Sequence, residues 1–413
     1  MNSDVASQVD HVIAGVLSEF TSGPHRGVVV DSPPGAGKST LVVRAATEIA
    51  QSGEPVMIIA QTNEQVDDLV DRMATHAPAV RIGRLCSDNY VPTARVSHPN
   101  VAVEQQFSNL VDVQITIATA AKWVFVPEGP WPWAIIDEAY QMRSDMLLRV
   151  APRFERALFV GDPGQLDPFS TIDIDRWTGL TWDPMQSAVA AMLRNNPDLP
   201  VHQLPVSWRL PPSAAGPVSA AFYPFTGFRA ATDPTQRHFS YRTTGFGSAT
   251  DRTLDTAART GWALHELPAR HTVRTDTQAV DAVADLAVRA LARGPVARSE
   301  RDPDEVELGA DRIAIGAAHR DQVAAIRQAL IARGSGEIRV DTANRLQGRH
   351  IPRASAGLER WCRSPNRQSR VRGSGRISAD RLRARGCLVQ CARRCRRRYR
   401  GEGGSVCRPG RRW

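Results

Sequence analysis

The stretch Val28-Val29-Val30-Asp31-Ser32-Pro33-Pro34-Gly35-Ala36-Gly37-Lys38-Ser39-Thr40 constrains this chain more than any other. Three β-branched residues read as a short buried strand, because branching at Cβ suits a packed, pleated surface. A turn of Pro and Gly follows, then a helical run from Leu41 to Ile49. Strand, turn and helix, with Gly-Lys-Ser at the end of the turn, form the phosphate-loop pattern. Ser32 stands where that pattern has its first Gly; Ser is small, and the turn is expected to survive. Such a loop aims backbone N–H groups at phosphates, at a helix N-terminus whose dipole favours anions. Ser32, Pro33, Pro34, Gly35, Ala36, Gly37, Lys38, Ser39 and Thr40 are therefore the expected nucleotide-binding set, with ATP as cofactor. Lys38 would reach the terminal phosphates and Ser39 would hold Mg²⁺.

With 413 residues the chain has room for two or three domains. No apolar run reaches ~18 residues, so no membrane span is expected. Met1 to Asp10 lacks the basic-then-apolar pattern of a secretory leader, and the expectation is a soluble, cytoplasmic, monomeric protein. The net charge of +9 hides a division. Residues 351–413 hold 19 Arg and 3 acids, leaving 33 basic and 40 acidic groups in residues 1–350. Five of the six cysteines lie in that tail as well, and only Cys86 lies in the body, which fits a reducing compartment without a disulfide framework. The chain has two lysines, Lys38 and Lys122; such Arg-for-Lys usage suggests a high-GC gene and makes Lys38 stand out.

Residues 5–20 read as an amphipathic helix. Gln8 on it precedes the phosphate loop at a distance suited to reading adenine, and would equally suit a solvated helix face. Pro55 to Ala60 reads as a second buried strand, running into Gln61-Thr62-Asn63 and a helix from Glu64 to Met73. Thr62 and Asn63 sit at a strand end, where binding groups collect in open α/β sheets, and a simple helix N-cap would look the same. Residues 76–109 look loose, and Val111 to Thr119 reads as another strand. Further strands end in Asp137-Glu138 and in Gly161-Asp162. A helix is expected over Met185 to Leu193 and a strand over Val201 to Val206; residues 230–262 look like a surface excursion. Helices over Thr277 to Arg293 and Arg320 to Arg333, a charged loop over Gly294 to Glu305, and strands over Asp311 to Gly316 and Ile338 to Thr342 complete the pattern. Strands alternating with helices predict an α/β fold with doubly wound parallel sheets.

Two acids ending a buried strand about 100 residues after a phosphate loop suggest a metal-and-water pair. Asp137 would hold Mg²⁺ through water, and Glu138 would polarise the attacking water. Gln165, after the next strand, is placed to sense the terminal phosphate. Arg209 would act as a finger across a cleft, stabilising charge on the transferred phosphoryl group.

The set resembles superfamily 1 helicases, in the branch typified by the nonsense-mediated decay helicase and its replication relatives. Ser32 to Ser39 resembles motif I, Gln61 to Leu69 motif Ia, Asp137 to Gln141 motif II, and Gly161 to Leu166 motif III. Trp208-Arg209-Leu210-Pro211-Pro212 with Phe222-Tyr223-Pro224 resembles motif IV, and Asp341 to Arg349 resembles motif V. The resemblance implies two RecA-like domains, residues 1–200 and 201–350, the second incomplete, with ATP in the cleft and single-stranded DNA or RNA crossing both. It implies that Thr62, Asn63, Thr119 and Thr342 contact the nucleic-acid backbone, and that Gln347, Gly348 and Arg349 lie on the nucleotide side. Backbone contacts of this kind carry little sequence information.

Two departures matter. The stretch between motifs Ia and II is short, about 65 residues, so the accessory barrel of many relatives is expected to be absent. The motif V resemblance also stops at His350, with no motif VI assigned. The Arg- and Cys-rich tail, 351–413, lacks the apolar content to fold alone, and is expected to be disordered. It reads as a basic nucleic-acid arm, as a metal site from Cys387, Cys391 and Cys395, or as out-of-frame translation of a GC-rich gene. The last agrees best with the point at which the family pattern ends. A nucleotide-dependent clamp or defective helicase with little turnover, and a non-helicase P-loop ATPase, are the rival functions.

Overall fold

The computed structural model describes residues 3–127, 129–165, 168, 177, 183–233, 236–269, 275–299, 304–342 and 346. Helix α1 (Ser3–Ser22) leads into β1 (Gly27–Asp31), and α2 (Lys38–Gln51) into β2 (Val56–Ala60). Then come α3 (Asn63–His76), β3 (Ile82–Leu85), β4 (Val101–Glu104) and β5 (Ile115–Thr119). Helix α4 (Ala120–Trp123), β6 (Trp131–Asp137), α5 (Ser144–Val150), β7 (Phe154–Gly161), α6 (Ala188–Asn195) and β8 (Val201–Gln203) follow.

The eight strands form one sheet in the order β4-β3-β5-β2-β6-β7-β1-β8. Every pairing in it is parallel. The central strands are continuous apolar runs because both faces are covered. Val28, Val30, Val56, Ile58, Ile135, Leu158 and Val160 face the layer made by α1, α2 and α3. Their alternates Val29, Met57, Ile59, Ala134, Ile136, Ala157 and Phe159 face the layer containing Trp123, Val150 and Val189. A side-chain period of two along each strand thus makes two cores from one sheet, the doubly wound arrangement expected.

The chain then makes β9 (Val206–Ser207), α7 (Pro212–Phe222) and β10 (Arg229–Ala230), with β9 and β10 paired in parallel. It continues through β11 (His238–Tyr241), α8 (Ala249–Thr260), α9 (Thr277–Ala292), β12 (Pro295–Arg298) and β13 (Val306–Glu307). Strand β14 (Ala314–Ala317), α10 (Arg320–Ala332) and β15 (Arg339–Thr342) are the last of the described elements. Strands β11, β12 and β13 make an antiparallel sheet, and β14 and β15 a parallel pair. The parallel pair shares an apolar core with α9 and α10, built on Ala284, Ala287, Ile315, Ile326, Leu330 and Val340.

Several expectations need correction. The loose stretch at 76–109 contains two sheet strands. Strand β3 escapes the eye because Gly83 and Arg84 interrupt it, yet Arg84 is 1% exposed. The excursion at 230–262 holds β11 and α8, whose helix is started by Ser248 accepting a hydrogen bond from the Asp251 N–H at 3.0 Å. The loop at 294–305 begins with β12. The strand expected from Val111 starts only at Ile115, and the one expected from Asp311 starts at Ala314, after a turn of 3₁₀ helix. The helix expected over 185–193 runs from Ala188 to Asn195. A domain limit at residue 200 falls inside the first body: β8 pairs with β1, and Leu204, Val206 and Ala231 join the same core as α1 and α2. No helix among the described residues is long and apolar enough to cross a membrane.

Candidate nucleotide site

Because the sheet is parallel, the C-terminal ends of β1, β2, β5, β6 and β7 open onto one edge, where ligands collect in such folds. The loop after β1 begins with Ser32, whose N–H extends the ladder to Gly161 O at 2.8 Å. It ends with Gly37 at φ 101°, a left-handed conformation that a side chain would strain, immediately before α2 starts at Lys38. Ser32, Pro33 and Ala36 are buried, and Thr40 is exposed.

Lys38 Nζ donates to Glu138 Oε1 at 2.8 Å, with both side chains under a fifth exposed. Burial works against the lysine's charge, but Glu138, Asp162 and Asp137 outweigh it and raise its pKa. Asp137, at the end of β6, is pushed up to about 7, first by burial and then by the charge of Glu138. Glu138 itself has φ 51°, in the left-handed region unusual for a side-chain-bearing residue. Backbone strain of this kind clusters at functional sites.

A chain of amides continues from this acid. Gln141 Nε2 donates to Glu138 Oε2 at 3.4 Å and to Gln165 Oε1 at 2.8 Å. Gln165 Nε2 donates to Asp162 Oδ2 at 3.1 Å. Asp162 Oδ1 accepts from the Gly164 N–H at 3.0 Å and from Tyr223 Oη–H at 2.5 Å. A Cβ on Gly164 would lie 2.5 Å from the Tyr223 ring, so the approach requires glycine. Tyr140 Oη–H donates to Asp31 Oδ1 at 2.6 Å, and burial raises the pKa values of both groups.

The Ser207–Leu210 turn docks on the phosphate loop. Ser207 Oγ donates to Pro34 O at 2.6 Å, and the Trp208 N–H to Gly35 O at 3.0 Å. Arg209 is thereby carried by the same body as the loop, which corrects the expectation of a finger from a second domain. Burial lowers its pKa, while Asp162 and Glu138 pull the other way; a guanidinium stays charged under either influence. Among the described residues its guanidinium makes no hydrogen bond or ion pair.

Other expected residues have local partners. Gln8 is exposed on α1 and accepts from Arg229 Nη2 at 2.5 Å. Thr62 caps α3 in a reciprocal box with Gln65, and Thr119 caps α4. Asn63 Oδ1 accepts from Arg84 Nη2 at 2.8 Å, and the Thr342 N–H donates to Asp341 Oδ1 at 2.8 Å. Gln347, Gly348, Arg349 and the 351–413 tail with its cysteines lie outside the described residues. Asp31, Tyr140, Gln141, Asp162 and Tyr223 were given no role by sequence reasoning. Four of them lie inside the quoted motifs II, III and IV, and Asp31 directly precedes Ser32.

The AAA domain family model matches residues 14–173. Motifs I to III all lie in that stretch. No curated protein matches the chain. Among solved structures, the chain is similar to the arterivirus nonstructural protein 10 helicase in complex with DNA, at 13% identity and a TM-score of 0.41, over 87% of this chain and 61% of that one. The PRRSV helicase is matched at 15% identity and TM-score 0.34, over 54% of this chain and 38% of that one. Bacteroides Pif1 bound to ssDNA is matched at 14% identity and TM-score 0.33, over 52% and 46%. This chain thus spans 38% to 61% of the length of these three structures.

Proposed function

We propose that this chain binds and hydrolyses ATP with Mg²⁺ and acts as a superfamily 1-type helicase or translocase on single-stranded DNA or RNA. The observation that carries the reading is the Lys38–Glu138 ion pair, which joins the phosphate loop to the expected water-activating acid at 2.8 Å.

The donor set fits the nucleotide. The buried Ser32 Oγ has no hydrogen-bond partner, and the Arg209 guanidinium has none among the described residues, so two donors stand ready for phosphate oxygens. Ser39 and Asp137 offer the oxygen ligands that a small divalent cation prefers. Bound ATP would supply the phosphoanhydride whose cleavage releases the driving free energy, and Mg²⁺ would neutralise charge on its phosphate oxygens. Lys38 exchanges Glu138 for phosphate oxygen, keeping its charge paired. Glu138, released, accepts a proton from water. Gln141 holds the opposite oxygen of that acid through its amide, and Gln165 holds Gln141. Arg209 stabilises charge accumulating on phosphate oxygens. The resemblance to helicases, through the motifs on this edge, supports a single-stranded nucleic acid as the partner.

Phosphate release measured with and without single-stranded oligonucleotides tests the reading. Turnover should rise with single strands and fall about a hundredfold or more in Lys38→Ala and Glu138→Gln. Turnover indifferent to nucleic acid would remove the helicase reading and leave a P-loop ATPase.

A further inference from the structure

A cavity of about 390 Å³ opens beyond the ends of β3 and β4, on the same sheet edge as the phosphate loop. Its size falls in the range of small-ligand pockets. Cys86, Tyr90, Glu104, Gln105, Gln106 and Asn109 line it. A buried polar network ties it to motif Ia. Arg84 donates to Asn63 Oδ1 and to Asp67 Oδ1, and its guanidinium lies 3.8 Å above the Tyr90 ring. Tyr90 Oη–H donates to Asp67 Oδ1 at 2.8 Å. The tyrosine is thus fixed by the same arginine that holds Asn63.

The chemistry of the lining selects the ligand. No Lys or Arg lines the cavity, and Glu104 repels anions, so a phosphate is a poor occupant. The carboxylate of Glu104 accepts one hydrogen bond among the described residues, from Asn109 Nδ2 at 3.3 Å on Oε2, leaving Oε1 open to a donor. The side-chain amides of Gln105 and Gln106 make no hydrogen bond among the described residues, and each offers both donor and acceptor. Burial pushes the Cys86 thiol up, keeping the floor neutral. A flat heterocycle with mixed donor and acceptor edges and an exocyclic amine satisfies this set. Carboxylates accept from the N4 amine of cytosine.

We propose that this cavity holds one nucleobase of the bound single strand, with its exocyclic amine donating to Glu104. The proposal rests on the nucleic-acid reading above and adds a preference for amine-bearing bases. Oligo-dC and oligo-dU, on the order of 12 nucleotides long, differ in the feature that matters: the amine of cytosine is a carbonyl oxygen in uracil. Fluorescence anisotropy with the full chain should show oligo-dC binding about tenfold more tightly than oligo-dU. In Glu104→Gln, whose side-chain amide can pair with either base, the ratio should fall to near one. The melting temperature should not change, because the side chain's one hydrogen bond is at the surface. Equal binding of the two oligomers by the unaltered chain, or a preference that survives Glu104→Gln, overturns the base pocket and leaves the nucleic-acid reading standing. Failure of the chain to bind either oligomer overturns both. Free cytidine competing as well as the oligomer, in a Glu104-dependent way, overturns the assignment to a strand.

Discussion

The body of residues 3–231 and the stretch from 236 to 342 are held together by different means. The first has one eight-stranded sheet with both faces buried, and every strand in it except the two outermost has two neighbours. The second has strands in groups of three and two, with a smaller core. Ion pairs tie its helices together. Arg289 pairs with Asp251 at 2.8 Å, Arg293 with Asp255 at 2.7 Å, and Arg333 with Asp281 and Asp285 at 2.9 Å each. The candidate nucleotide-site residues, Arg209 included, belong to the first body. The difference teaches that the candidate phosphate site is built on the sheet edge of the first body, and that the later stretch braces it where Arg237 donates to Trp208 O at 2.6 Å and to Arg209 O at 3.2 Å.

Mutations can break or sharpen that contrast. The largest effect is expected from Ile58→Ala, at a fully buried position in the middle of the sheet, costing about 3–4 kcal/mol in denaturant unfolding. Comparable unfolding midpoints for this variant and the parent would mean that the sheet is not the main support. Tyr223→Phe comes next. It removes the hydroxyl from Asp162 and leaves a buried acceptor less satisfied, at about 1–2 kcal/mol. It should also slow phosphate release, because Asp162 positions Gln165. Normal turnover in this variant would detach Tyr223 from the site.

Asp251→Asn should loosen the later stretch alone, seen as faster hydrogen exchange in α8 and α9 with β1 and β7 unchanged. The pH dependence sharpens this. The Arg289 hydrogen bond holds the Asp251 carboxyl at about 2, below its ordinary 3.8. Its contribution is therefore complete above about pH 4 and disappears as pH falls toward 2. The variant should lack that acid-dependent loss. The smallest effect belongs to Arg242→Gln. Its pair with Glu307 is more than half exposed on both sides, so stability should change by less than about 0.5 kcal/mol.

Much of the first body was legible because its strands are apolar runs and its loops carry glycine, lysine and paired acids at fixed spacing. The phosphate loop, Asp137, Glu138, Gln165 and Arg209 all come to one edge. Strand β3 was not legible, since a buried arginine looks like surface until Asp67, Asn63 and Tyr90 are seen around it. Strand β8 read as the start of a new domain because a three-residue edge strand carries no sign of which neighbour it will join. Thr62 and Thr119 show the opposite limit: both hydroxyls cap helices, a role that the sequence allowed equally well for Thr62.

The most direct measurement of the central claim is nucleotide affinity, by titrating a fluorescent ATP analogue into the parent chain, Lys38→Ala and Glu138→Gln. If Lys38 is held by Glu138 until phosphate replaces it, Glu138→Gln should bind the analogue at least as tightly as the parent, because the lysine no longer has to leave a carboxylate. Lys38→Ala should lose most of the binding. Equal weakening in both variants would contradict the exchange, and would make the ion pair a structural contact rather than the lock on a phosphate site.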